Sequence, residues 1–103
     1  MSEHKGYLFI LFDMPSANKK DKKAYLKFIK NIKAMGFMMA LESSYYKYYD
    51  NLNNSIYDLN KAKLSINNIG SVFVLKYTLN EFEKIEYLSG PKLQRLDNNI
   101  ILY

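Results

Sequence analysis

The apolar positions of this chain change period along its length, and the changes mark its elements. Residues 7–14 are almost continuously apolar, as in a strand covered on both faces. Alternation places Tyr7, Phe9, Leu11 and Asp13 on one face and Leu8, Ile10, Phe12 and Met14 on the other. Pro15 ends the strand, because it brings no N–H to a ladder. The period then becomes helical. Tyr25, Phe28, Ile29, Ile32 and Met35 form one stripe of a helix over 19–35, with Lys20, Lys23, Lys27 and Lys30 on another. Asn18 is a good N-cap, Asp21 its capping-box partner, and Gly36 suits the left-handed residue that follows a helix.

Residues 37–49, "FMMALESSYYKYY", predict a second strand, bent or split near Glu42–Ser44. Within it Tyr45, Lys47 and Tyr49 share one face and Tyr46 and Tyr48 the other. The Asn-rich "DNLNN" reads as a turn. Ser55 with Asp58 offers a second capping box, for a less periodic helix over about 55–67. "SVFVLKYT", 71–78, is a third strand of β-branched and aromatic residues. "LNEF" reads as a turn, Lys84–Leu88 as a short strand, and "NNIILY" as a terminal apolar strand.

The order β-α-β-α-β-β predicts one domain over 1–103, with 1–6 as a tail. The expected fold is an α+β ferredoxin-like sandwich, an antiparallel sheet with two helices on one face. The bare sheet face needs cover, and a second copy of the same sheet is the simplest, so a two-fold homodimer is expected. The terminal strand either completes its own sheet or is exchanged onto the partner's edge.

Charge adds a location. The net charge is +5, yet residues 18–33 hold seven lysines and one acid, while the remainder of the chain nets −1. Such a run can be a solvated helix face, or the footprint of a polyanion site. Composition then excludes chemistry. With no cysteine there is no disulfide scaffold, thiolate zinc site or cysteine nucleophile, and the single histidine, His4, lies in the polar tail. No apolar run approaches the ~18 residues of a membrane span. The N-terminal stretch lacks a small-residue cleavage site, so a soluble cytoplasmic protein is expected. Asp13 has two readings: a metal ligand, or a carboxylate bonded to backbone N–H groups at a strand-to-helix turn. The tyrosines 45, 46, 48 and 49 are expected to pack on the sheet rather than stack on bases.

Several stretches in sequence resemble the CRISPR-associated Cas-two (Cas2) family, the dimeric partners of the Cas-one integrase. They are "FILFDMPS", "AYLKFIKNIKAMGF", "SSYYK", "GSVFVLKYT" and "FEKIEYLSG" followed by an apolar end, spanning about residues 7–103. The resemblance implies a ferredoxin-like homodimer that binds double-stranded DNA and, in some members, a magnesium- or other divalent-metal-dependent phosphodiesterase. It implies that Asp13 is the catalytic, metal-binding acid, with Ser43 beside it. It also implies that Lys19, Lys20, Lys22, Lys23 and Lys27 approach DNA phosphates. The family often carries glutamine where this chain has Leu41. Two functions follow as expectations: an adaptor clasping duplex DNA between integrase dimers, or a stand-alone metal nuclease of the toxin-ribonuclease kind.

Overall fold

A computed structural model describes residues 4–15, 17–66 and 70–97. Its elements are β1 (Gly6–Asp13), α1 (Lys19–Ala34), β2 (Met38–Leu41), β3 (Ser44–Tyr49), a 3-10 turn (Leu52–Asn54), α2 (Ser55–Leu64), β4 (Ser71–Thr78) and α3 (Leu79–Glu83). The sheet order is β2-β3-β1-β4 and every pairing is antiparallel. This is the ferredoxin-like arrangement. The continuous apolar run of β1 follows from its place: it is an inner strand, paired on both edges and packed on both faces.

The helix-bearing face holds the larger core. Leu8, Ile10 and Phe12 of β1 meet Phe28, Ile29 and Ile32 of α1, with Phe37, Tyr45 and Tyr49 closing the cluster. Leu59 and Ile66 pack against it from α2 and its end. Removing a fully buried aromatic such as Phe28 from such a cluster costs about 3–5 kcal/mol.

The predicted second strand is split as its sequence suggested. A turn at Glu42–Ser43 makes β2 and β3 a hairpin, with a register shift between Met39 and Leu41. Other boundaries depart from expectation. The second helix stops at Leu64, where the Ser65 hydroxyl donates to the Ala62 carbonyl at 2.9 Å. Ser55 and Asp58 form no capping box: Asn54 is the N-cap and makes no side-chain cap bond. Ser55 Oγ is buried without a hydrogen-bond partner among the described residues, and Asp58 turns toward β3 instead.

The segment read as a turn and a strand is a helix and an irregular strap. Thr78 Oγ1 accepts from the Glu81 N–H at 3.1 Å, and Glu81 Oε1 accepts from the Thr78 N–H at 2.8 Å. This complete capping box launches α3 directly off β4. Lys84–Leu88 is not a strand. The expected terminal strand "NNIILY" falls on 98–103, outside the described residues.

The strap changes how the second sheet face is covered. Phe82 of α3 stacks on Tyr7 with ring centroids 3.9 Å apart, and Tyr46 and Phe9 complete that cluster. Ile85, Leu93 and Leu96 pack over it. The strap is tied down by polar bonds as well. Tyr7 OH donates to Asp97 Oδ1 at 2.7 Å and accepts from the Leu96 N–H at 2.8 Å; Tyr46 OH donates to the Gln94 carbonyl at 2.8 Å. Much of this face is therefore covered by the chain's own residues 79–97. Among the described residues it stays open at one end, in a groove of about 300 Å³ lined by Leu11, Leu41, Ser44, Leu75 and Tyr87 among others. Among the described residues no helix is long and apolar enough to cross a membrane.

Candidate nucleic-acid and metal site

Asp13 is the last residue of β1, and its side chain is exposed. Its backbone is fixed from both sides. Asp13 pairs with Ser71 of β4, and the Phe12 N–H donates to the Ser43 carbonyl at 3.0 Å. Ser43, in the β2–β3 turn, is thus bound through its backbone to the end of the strand that carries the acid. Leu41, at the glutamine position, is 69 % exposed and lines the open groove on the same face. Leucine presents apolar surface there. Among the described residues nothing donates a hydrogen bond to the Asp13 carboxylate, and it forms no ion pair.

The lysines follow on a rigid mount. Asn18 is extended, with φ −107° and ψ 170°, and its Oδ1 accepts from the Asp21 N–H at 2.8 Å. Asn18 Nδ2 in turn donates to Asp21 Oδ2 at 3.0 Å. Asp21 reaches back to the cap side chain, and the one acid of the segment is thereby engaged in starting α1. Lys19, Lys20, Lys22, Lys23 and Lys27 are all exposed, and so are Lys30 and Lys33. None has an ion-pair partner among the described residues; the three ion pairs there belong to Lys47 and Arg95. The positive charge of α1 is therefore uncompensated, beside the positive end of its helix dipole.

A divalent metal is what the resemblance implies for Asp13. An exposed, unpartnered carboxylate fits a hard cation that keeps most of its waters, as magnesium does. One chain offers little more: no group of three or more His, Cys, Asp or Glu side chains stands together among the described residues. A second carboxylate would have to come from another copy.

Two polar clusters escaped the sequence reading. In the first, Lys47 Nζ donates to Asp58 Oδ2 at 2.8 Å and to the Met35 carbonyl at 2.7 Å, and Tyr49 OH donates to the same Asp58 oxygen at 2.5 Å. The signal was a lysine between two tyrosines on the core face of a strand. In the second, Arg95 bonds Asp97 and Glu83 around the Tyr7 hydroxyl. Arg95 foremost holds Asp97 down at about 2.

Both clusters make the protein sensitive to alkali. Burial first, then the bond to Asp97, pushes the Tyr7 hydroxyl up from 10.0 to about 12. Burial and the bond to Asp58 raise Tyr49 as well. In the unfolded chain these phenols lose their protons near pH ~10. Between there and the higher native values the folded state binds more protons, so stability falls as pH rises. The contribution is complete below the unfolded value and lost as pH climbs toward the native ones. Thermal midpoints measured from pH 8 upward are expected to hold to about pH 10 and then drop steeply toward about 12. Tyr7→Phe and Tyr49→Phe together should flatten that drop; an unchanged drop would assign it to other groups.

No protein-family model matches this chain. Curated relatives do. Proteins from two strains of Streptococcus mutans serotype c, NN2025 and UA159, are each 34 % identical over 94 residues. The alignments span 89 % of this chain and 86 % and 84 % of those proteins. A protein from Ligilactobacillus salivarius is 27 % identical over 92 residues, 89 % of this chain and 91 % of its own length. All three bear the name CRISPR-associated endoribonuclease Cas2.

Proposed function

Because the chain belongs to the CRISPR-associated Cas2 family, we propose that it works as a homodimer that binds double-stranded DNA and bridges Cas-one integrase dimers during spacer acquisition in the cytoplasm. The observation that carries this reading is the bank of exposed lysines on α1, unpaired among the described residues. They start six residues beyond the end of the central strand, on a capped and well-packed helix. Contacts of this kind fix a duplex in place without reading its sequence, which is what a bridge for many different DNA segments requires.

A dimer is favoured by the groove beside Leu11 and Leu41, where apolar surface of the sheet is left uncovered by the described residues. Phe73 and Leu75 extend the exposed apolar surface along the edge strand β4. A two-fold axis near that end would bring two Asp13 carboxylates toward each other.

The second reading is a metal-dependent phosphodiesterase, favoured by the exposed Asp13 carboxylate, which has no partner among the described residues, and by the relatives' name. Asp13 of each copy would hold a magnesium ion. When bound, that ion neutralises phosphate charge and lowers the pKa of a water. The lysines of α1 would hold the phosphate and orient it. They cannot replace the acid.

The two readings separate at Asp13→Ala. The adaptor reading expects integration of duplex DNA with the Cas-one partner to stay near the wild-type level. The same variant should lose magnesium-dependent cleavage by more than about a hundredfold. Loss of integration in step with cleavage would replace the adaptor reading by the nuclease.

A further inference from the structure

We infer that Gly70 is the positioning residue of the Asp13 site: its missing side chain is what allows the end of β1, and with it the carboxylate, to stand where it does. The inference rests on the reading of Asp13 as a metal ligand and deepens it. Gly70 lies one residue before β4, at φ 77°, in the left-handed region that favours glycine. A Cβ built there would collide with the Asp13 carbonyl oxygen and would stand 2.8 Å from Met14 Cα and 3.1 Å from Asp13 C. All three are backbone atoms, so no side-chain rotation can relieve the contact. The peptide that would be displaced is the one leaving Asp13.

The rest of the frame does not yield. Asp13 is in register with Ser71, the residue after Gly70, and Phe12 is held on the other side by the Ser43 carbonyl. A side chain at 70 therefore has two outlets: it pushes Gly70, and Ser71 after it, away from Asp13, or it moves the Asp13–Met14 peptide. The first loosens the pairing that holds the end of β1, and the second turns the carboxylate away from its present place. The exposed carboxylate has no partner among the described residues, so among them its backbone is what orients it.

The molecule contains its own control. Gly6 begins the same strand at the other end, and a Cβ there would collide with the Tyr77 carbonyl oxygen and come within 3.2 Å of Thr78 Cα. Gly6→Ala thus makes a comparable steric insult on β1, far from Asp13. Gly70→Asn adds the Cβ but tolerates the left-handed backbone, separating contact from conformational strain.

The test compares full-length wild type, Gly70→Asn, Gly6→Ala and Asp13→Ala by direct Mn²⁺ titration, duplex DNA affinity and thermal midpoint. Gly70→Asn should weaken Mn²⁺ binding by about ten- to a hundredfold, the range seen when groups orienting a metal ligand are lost. Its DNA affinity should stay at the wild-type value. Gly6→Ala should lose stability and keep Mn²⁺ binding. A folded Gly70→Asn with wild-type Mn²⁺ binding, alongside a non-binding Asp13→Ala, overturns the role of Gly70 alone. Unchanged Mn²⁺ binding in Asp13→Ala overturns the metal reading itself. If the Asn variant does not fold, Mn²⁺ line broadening in the wild-type protein decides. The Gly70 and Ser71 amides should broaden first, and sharp signals there would sink the inference.

Discussion

Changing Lys19, Lys20, Lys22 and Lys23 together to alanine is expected to weaken duplex DNA binding by about a thousandfold at 0.1 M salt, with the fold unchanged. The magnitude follows from counterion release. Each phosphate contact lowers the slope of log K against log salt by about 0.9, so four contacts in a protomer account for between three and four decades at that concentration. The wild-type protein should therefore show a steep salt dependence, and the variant a slope shallower by about three to four. Stability should barely move, because all four side chains are exposed and none forms an ion pair among the described residues. The spacing of α1 supports this: its buried stripe is Phe28, Ile29 and Ile32, none of which the substitutions touch. Lys84 and Lys92 are charge controls in the strap region, on the other side of the sheet. Their replacement removes positive charge without touching α1, and binding should hold. A flat salt dependence in the wild type, or equal losses from the controls, would end the phosphate-grip reading.

That platform was legible in the sequence because its determinants are local. Asn18, Asp21 and the stripe of α1 lie within one segment, and the charge surplus sits on the same residues. β4 was read to its residue limits for a similar reason: a β-branched and aromatic run bounded by glycine and a turn. The failures involve either competition or distance. Thr78 and Glu81 spell a capping box, but they follow an uninterrupted strand, and five residues are too few to show a helical period. Ser55 and Asp58 spell the same signature, yet Lys47 wins the carboxylate, because a lysine on the core face of β3 has the stronger need of it. The role of Gly70 was invisible because its neighbours Asp13 and Met14 lie far away along the chain. Asp13 itself was legible as an acid ending a central strand. That no other described residue bonds its carboxylate was not, since a turn aspartate and a metal ligand look alike in sequence.

The second large effect should come from that same carboxylate at 58. Asp58→Ala is expected to cost about 2–3 kcal/mol, less than the ~3–5 typical of a fully buried pair, because Lys47 and Asp58 keep 28 % and 16 % of their side chains exposed. For a domain of this length that lowers the thermal midpoint by roughly 10–20 °C. Burial works to raise the Asp58 pKa, but the bonds from Lys47 and Tyr49 outweigh it and hold the carboxylate below its ordinary value. The variant leaves two donors stranded. Tyr49 OH loses its acceptor, and Lys47 keeps only the Met35 carbonyl and the faces of two rings, 5.1 Å from the Tyr49 centroid and 5.9 Å from that of Phe37. The loss should be due to these stranded groups more than to the bond itself. Replacing all three members by apolar counterparts, in Lys47→Met with Asp58→Leu and Tyr49→Phe, should therefore recover most of it. Urea unfolding of the single and triple variants measures the difference. If the triple variant is no more stable than Asp58→Ala, the cost lies in packing, not in an orphaned charge. The consequence for function is mechanical. Met35 follows the last turn of α1, so Lys47 ties the lysine-bearing helix to β3 and, through Asp58, to α2. Below its midpoint Asp58→Ala should bind DNA like the wild type. On warming it should lose binding as soon as α1 comes away from the sheet, and the two transitions should coincide.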